Sequence, residues 1–162
     1  MLEQYPGKVR VVYKHYIVHP DAATVPALAS CAAAAQNRFG DMEKLIWDKG
    51  FAERDLSPDK MLALATELEL DLAKFEADMA GEACQARIIA DQEELARFGV
   101  SGTPGFFING RFLGGAQPLP AFVRLVDEEL AKAEARIAAG TPAAEYYERV
   151  VMAEGLPSVD AR

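Results

Sequence analysis

The sequence predicts a fold of the α/β class, in which helices cover a small sheet. Residues 8–14, KVRVVYK, follow a Pro-Gly turn signal and are β-branched or aromatic at most positions, which indicates a buried strand. Residues 21–98 have helical patterning throughout. Asn109-Gly110 separates the apolar runs GFFI and RFLG. This dipeptide is a strong signal for a β-hairpin, because a type I′ turn needs a positive φ at both central residues.

Capping residues divide the helical stretch into successive helices. An alanine-rich helix comes first, and its Pro26 is compatible with a helix only in the first turn. Ser57 and Asp71 are predicted to be the N-caps of two later helices. The last helix covers about residues 82–98, and Gly99 is expected to end it.

The apolar residues predict where the core lies. We expect Trp47, Phe39 and Phe51 to form the core of the helical part. Cys31 and Cys84 also lie in stretches with helical patterning, and we expect each to be a small buried apolar residue. A disulfide between them is the alternative, because the sequence does not show the distance between the two cysteines.

The end of the sequence predicts two more helices. A long amphipathic helix is expected after Pro118 and Pro120, and Gly140 is expected to end it. Thr141-Pro142 is predicted to cap a final helix, AAEYYERVVMAEG, and the tail LPSVDAR is expected to fray.

Composition and charge exclude some classes of function. The 162 residues are 51% hydrophobic and 26% charged, which is typical of one globular domain. The net charge of −8 disfavours binding to the phosphate backbone of nucleic acids. No apolar run approaches the ~18 residues of a membrane span, so we expect no membrane insertion. The sequence assigns no compartment, although the first residues lack the apolar stretch of a secretory signal.

The two histidines make a weak metal site. His15 and His19 are four residues apart, but they lie on a predicted strand end and loop rather than on one helical face. A zinc site needs at least a third protein ligand. We therefore expect no metal and no cofactor, and a packing or loop-anchoring role for His19.

Thr103-Pro104 is the candidate binding element. Proline cannot donate to a β-ladder and belongs at a strand start or edge, and this proline precedes the run GFFI. A cis bond, which costs only about 0.5–1 kcal/mol before proline, would turn the backbone of Thr103 outward, where it could pair with an extended peptide. The alternative is a trans proline that merely opens a strand.

Residues 99–118, GVSGTPGFFINGRFLGGAQP, resemble the segment around the cis-proline of DsbA-like thioredoxin-fold proteins. There, a G-V-x-G-T-P run leads into F-x-(I/V)-N-G and a G-A-Q-P turn. The resemblance extends more loosely over nearly the whole chain, and it implies that Thr103 and Pro104 belong to a substrate-binding loop. The implied organisation is one domain over 1–162, with a thioredoxin-like part at 8–18 and 99–140, an inserted all-helical subdomain at 21–98, and a C-terminal helix and tail at 141–162.

The sequence differs from the pattern of this family at the N-terminal end. Family members have a first strand that ends in C-x-x-C at the start of the first helix, whereas here only MLEQYPGK precedes the strand predicted at 8–14. Thiol–disulfide exchange requires a thiolate, so no catalytic residue is expected. A missing central strand would leave a slot of about 10 Å, twice the ~4.8 Å strand spacing. We expect the chain to pair the two edges directly, to borrow a strand from a partner or a second copy, or to be a piece of a longer protein.

The resemblance implies a DsbA-like thiol–disulfide oxidoreductase domain, truncated and redox-inactive as given. Its expected partner is an extended peptide or a protein thiol or disulfide. A non-catalytic thioredoxin-like module that binds peptides or partners is the alternative, and a relative of the kappa-class transferases and isomerases is a weaker one. Whether the chain acts as an enzyme stays open, and family members are often exported.

Overall fold

The computed structural model describes residues 1–155. Six α-helices and one hairpin make up most of this part of the chain. Short 3₁₀ and π-helical turns complete it. The elements are α1 (Pro20–Ala34), α2 (Phe39–Leu45), a π-helical turn (Ile46–Phe51), α3 (Pro58–Glu67), α4 (Leu72–Ala80), α5 (Glu82–Arg97), β1 (Gly105–Ile108), β2 (Arg111–Gly114), α6 (Leu119–Ala138), a 3₁₀ turn (Ala143–Glu145) and a second π-helical turn (Tyr147–Met152).

The chain divides into two compact units. The helical unit comprises Lys14–Glu94, and the sheet unit comprises Met1–Tyr13 and the chain from Leu95 onward. Among the described residues, no helix is both long enough and apolar enough to cross a membrane.

The core of the helical unit is built from α1 to α4. Alanines of α1 let the neighbouring helices approach closely, and the largest fully buried side chains pack among them. Those side chains are Phe75, Met42, Met61 and Leu64.

Polar caps begin two helices of this unit, as predicted. The Ser57 hydroxyl accepts a hydrogen bond from the Lys60 N–H at 3.2 Å, at the start of α3. The Asp71 carboxylate accepts one from the Lys74 N–H at 3.0 Å, at the start of α4. Each cap satisfies one backbone donor that has no partner within the helix.

The prediction for Pro26 was wrong. It lies in the interior of α1 and not in the first turn, because the helix begins at Pro20. Pro20 suits the first helical turn, since its fixed φ is already helical and its missing N–H would have no partner there. Pro26 therefore removes one hydrogen bond from the middle of α1.

The predicted aromatic core was also wrong. Trp47 and Phe51 are 56% and 60% exposed, and their ring centroids lie 5.1 Å apart. Phe39 is half-buried. The π-helical turn directs Ile46 and Gly50 inward, so the residue that follows each of them in the sequence faces outward.

Cys31 and Cys84 form a disulfide, which corrects the expectation of two free buried cysteines. It joins α1 to α5 with a Cα–Cα distance of 5.8 Å. The two residues are 7% and 4% exposed. Burial was predicted, but the pairing was the less favoured alternative, because the sequence does not show the distance between two cysteines 53 residues apart.

The sheet unit contains the hairpin, and this prediction is confirmed. β1 and β2 pair antiparallel in the register Gly105↔Gly114 to Ile108↔Arg111. Asn109 and Gly110 have φ angles of +45° and +86°, as a type I′ turn requires. Helix α6 begins after Pro118, and Gly140 follows its end with a φ of +109°.

The strand predicted at 8–14 does not form. The described residues contain one sheet, with β1 and β2 as its two strands. Val11 and Val12 are 51% and 62% exposed. A segment with strand composition becomes a strand only when a neighbour supplies its ladder hydrogen bonds, and no described residue forms a ladder with this segment. Direct pairing of residues 8–14 with β1, one of the expectations from the sequence, is therefore absent from this part of the chain.

The final predicted helix is only partly regular. The segment AAEYYERVVMAEG forms a 3₁₀ turn at Ala143–Glu145 and a π-helical turn at Tyr147–Met152. The tail LPSVDAR, predicted to fray, lies outside the described residues.

Candidate functional site

The end of α5 sets the position of the Thr103-Pro104 loop. Gly99 has a φ of +80°, and its N–H donates to the Ala96 carbonyl at 3.0 Å. The Val100 N–H donates to the Leu95 carbonyl at 3.1 Å, and Val100 is 7% exposed. These two bonds and the buried apolar residue make a Schellman motif. The chain therefore leaves α5 in one direction, toward the loop.

Pro104 is joined directly to the hairpin. Its carbonyl accepts a hydrogen bond from the Gly115 N–H at 2.8 Å, which continues the ladder one residue beyond the Gly105↔Gly114 pair. The proline therefore stands at the strand start, where a missing N–H costs least. The Thr103–Pro104 peptide bond is cis.

The backbone polar groups of Thr103 are unpaired among the described residues. Thr103 and Pro104 are both exposed. The backbone N–H and C=O of Thr103 make no hydrogen bond to another residue in the described range. One free donor and one free acceptor beside a strand start are the groups that an extended peptide uses to add to a sheet.

Aromatic rings lie on both faces of the hairpin. The centroid of the Phe107 ring lies 5.2 Å from that of the Phe112 ring and 6.0 Å from that of the Phe98 ring. On the opposite face, Phe106 packs edge-on against Phe122 of α6 at 4.7 Å. Phe107 and Phe112 remain 40% and 38% exposed. These rings were not predicted to be part of the site, although the period-2 pattern of GFFI and RFLG could have indicated them.

The outer edge of β1 is defined by Gly105 and Phe107. A type I′ turn makes Ile108↔Arg111 a hydrogen-bonded pair, and such pairs alternate along an antiparallel ladder. Gly105 and Phe107 therefore point their backbone groups away from β2. No described residue outside the hairpin accepts from or donates to them.

A charged cluster anchors β2 to α6. Arg111 forms ion pairs with Glu128 and Glu129, and Lys132 donates to Glu129 at 2.7 Å. Glu129 is 6% exposed, and a buried carboxylate needs such partners. The hydrogen bond from Arg111 lowers the pKa of Glu128 below its ordinary value.

The two histidines play different parts. The backbone N–H of His15 donates a hydrogen bond to the Asp91 carboxylate at 3.0 Å, and the Lys14 ammonium forms an ion pair with the same carboxylate at 3.1 Å. The His15 ring packs edge-on against Phe39, with centroids 6.4 Å apart. Burial lowers the pKa of His15. His19 precedes Pro20 as the N-cap residue of α1. Within residues 1–155, no group of three or more His, Cys, Asp or Glu side chains could hold a metal ion.

The cysteines supply no thiol. The chain has two cysteines, and the disulfide uses both of them. Both sit in the helical unit and both are buried. An attacking thiolate must be free and accessible, so neither cysteine can act as a nucleophile in this state.

The sequence of the chain matches a known protein family over most of its length. The sequence model of the DSBA-like thioredoxin domain matches residues 8–127. The chain belongs to the DSBA-like thioredoxin domain family. The match includes the loop at Thr103-Pro104 and both strands of the hairpin. No solved structure matches the chain.

Three relatives of this DSBA-like domain carry names of ion antiporters. "Na(+)/H(+) antiporter NhaA 3" of Salinispora tropica is 36% identical over 132 residues, which are 79% of this chain and 20% of the relative. "Na(+)/H(+) antiporter NhaA 1" of Salinispora arenicola is 34% identical over 126 residues, 76% of this chain and 19% of the relative. "Na(+)/H(+) antiporter NhaA" of Herminiimonas arsenicoxydans is 32% identical over 108 residues, 67% of this chain and 17% of the relative. The chain therefore spans about a fifth of the length of these curated relatives.

Proposed function

We propose that this chain supplies the peptide-binding part of a DsbA-like thiol–disulfide oxidoreductase domain and is redox-inactive by itself. In this proposal, an extended peptide or unfolded protein segment pairs with the backbone of Thr103 beside Pro104. The observation that carries the proposal is the exposed Thr103, whose N–H and C=O have no partner among the described residues, at the start of β1.

The surroundings of the loop support peptide binding. Backbone pairing gives affinity without side-chain selectivity. Exposed rings of Phe107 and Phe112 lie on one face of the adjoining hairpin, and they offer apolar surface to alternate side chains of an extended ligand. The ligand class is therefore an extended segment with apolar residues at alternate positions.

The absence of exchange chemistry is the second half of the proposal. C-x-x-C does not occur in the 162 residues, and the two cysteines present are joined to each other and buried. Disulfide exchange at this loop would require a reactive cysteine from another segment or another protein. Ion transport, which the names of the relatives state, is not part of the proposed function of this chain. The family model covers residues 8–127, whereas the chain spans only about a fifth of the relatives that carry the antiporter names.

A titration with an unfolded peptide tests the binding site. Reduced and alkylated insulin B chain serves as the probe, and amide NMR shifts report where it binds. We expect the largest shifts at Thr103 and Gly105. Thr103→Pro removes the N–H donor, and a net hydrogen bond contributes about 0.5–1.5 kcal/mol, so we expect affinity to fall roughly two- to tenfold.

Thr103→Ala is the matched control, because it keeps the backbone donor and acceptor. It should bind the probe as the unsubstituted chain does. Equal binding by both variants, or shifts confined to the helical unit, would show that Thr103 is not the binding element. Tight binding of glutathione without binding of the B chain would instead favour the kappa-class alternative.

A further inference from the structure

Two unpaired β-forming segments lie in the sheet unit. The first is the outer edge of β1, formed by the backbone groups of Gly105 and Phe107. The second is residues 9–12, VRVV, which have the composition of a β-strand and precede the helical unit in the sequence. The backbones of these four residues make no hydrogen bond to another described residue. Unpaired segments of this kind are templates for strand addition.

We propose that two copies of this chain exchange strands, so that residues 9–12 of each copy add to the outer edge of β1 in the other. Both segments belong to the sheet unit, yet they do not pair within one chain. Each copy therefore offers one strand and one edge. A reciprocal exchange uses both and closes with twofold symmetry.

The lengths and side chains of the two segments are compatible. Residues 9–12 match the four residues of β1 in length. Val11 and Val12 are more than half exposed, and strand addition would bury part of their apolar surface. Phe106 and Phe107 are still partly exposed on the two faces of β1, so an added strand finds apolar contacts on both faces.

Charge also favours a second copy as the occupant. The segment KVRVVYK carries cations and no acid, whereas the whole chain has a net charge of −8. Lys8 already pairs with Glu134 and Lys14 with Glu94. Arg10 forms no ion pair with another described residue, and it is available to an acidic surface of the partner copy.

The inference does not depend on the peptide-binding proposal. Thr103 is not among the residues with which the exchanged strand would pair, so Thr103→Pro should leave the oligomeric state unchanged. The peptide and the exchanged strand would both contact Gly105, so peptide binding is measured at concentrations at which the chain is monomeric. A monomeric unsubstituted chain that binds no peptide, together with a dimer at higher concentration, would count against the peptide proposal alone.

Light scattering coupled to gel filtration, over a concentration series, tests the exchange. We expect the chain to approach twice its 17.6 kDa mass. Of the adjacent Val11 and Val12 N–H groups, one faces β1 in either register of the exchanged strand. Val11→Pro/Val12→Pro removes both donors, so its dimer dissociation constant should rise at least tenfold. Val11→Ala/Val12→Ala keeps both donors and should remain dimeric. A monomeric unsubstituted chain at every concentration, or a proline variant that dimerises as well as the alanine variant, would overturn the inference.

Amide hydrogen exchange provides a second readout that does not depend on the variant. Alternate amides in residues 9–12, together with those of Gly105 and Phe107, should become protected as the protein concentration rises. Dimerisation without protection at these positions would show that another surface forms the interface, and it would equally contradict strand exchange.

Discussion

Removing the disulfide between α1 and α5 should lower the free energy of unfolding by about 4 kcal/mol. The Cys31–Cys84 bond closes a loop of 53 residues. The chain-entropy relation gives about 14 cal/mol/K for a loop of this length, or about 4 kcal/mol at 25 °C. Both cysteines are buried, so Cys→Ala exchange also removes packed sulfur atoms and adds to the loss.

Urea unfolding of a Cys31→Ala/Cys84→Ala variant, followed by circular dichroism, measures this effect. For a chain of 162 residues, each kcal/mol corresponds to roughly 2–4 °C, so Tm should fall by roughly 8–16 °C. The unsubstituted chain in a reducing agent should approach the variant. The variant itself, which has no thiol left, should not respond to the reducing agent. A variant within about 1 kcal/mol of the oxidised chain would refute the assignment of this disulfide as a main stabilising link.

Substitutions at three other positions test local features. Gly99→Ala should lower the free energy of unfolding by about 1 kcal/mol, because an alanine at a φ of +80° is strained. Thermal unfolding would show this as a lower Tm, and an unchanged Tm would contradict the Schellman geometry. Ser57→Ala should cost about 1 kcal/mol through loss of the cap to Lys60, whereas Ser57→Asp should retain most of it in the same urea titration. Burial lowers the pKa of the His15 imidazole in the folded chain. The unfolded chain therefore binds a proton at His15 more readily than the folded chain does. The free energy of unfolding should fall as the pH drops below 6.5, the ordinary pKa of histidine. His15→Gln should flatten that part of the Tm-versus-pH profile, and an unchanged slope would assign the dependence to other groups.

Local signals in the sequence predicted the elements that depend on local chemistry. Asn109-Gly110 predicted the hairpin turn because both residues adopt a positive φ at low cost. Ser57 and Asp71 predicted helix starts because a short polar side chain reaches the backbone two or three residues ahead. Thr103 and Pro104 lie where the sequence placed them, immediately before β1.

Features that depend on long-range partners could not be predicted. Residues 8–14 have strand composition, but a strand also needs a neighbour, and composition does not say whether one is present. The pairing of Cys31 with Cys84 depends on how α5 lies against α1. Trp47 was expected in the core because it is large and apolar. The π-helical turn directs its side chain to the surface, and no local sequence signal predicted that turn.

The most direct test of the account is the reduction of insulin disulfides by this chain in the presence of dithiothreitol. We expect a rate equal to that of dithiothreitol alone, because the two cysteines of the chain are buried and joined to each other. A rate above this background would contradict it. If that excess rate disappeared in the Cys31→Ala/Cys84→Ala variant, the disulfide between α1 and α5 would be a working redox centre rather than a structural link.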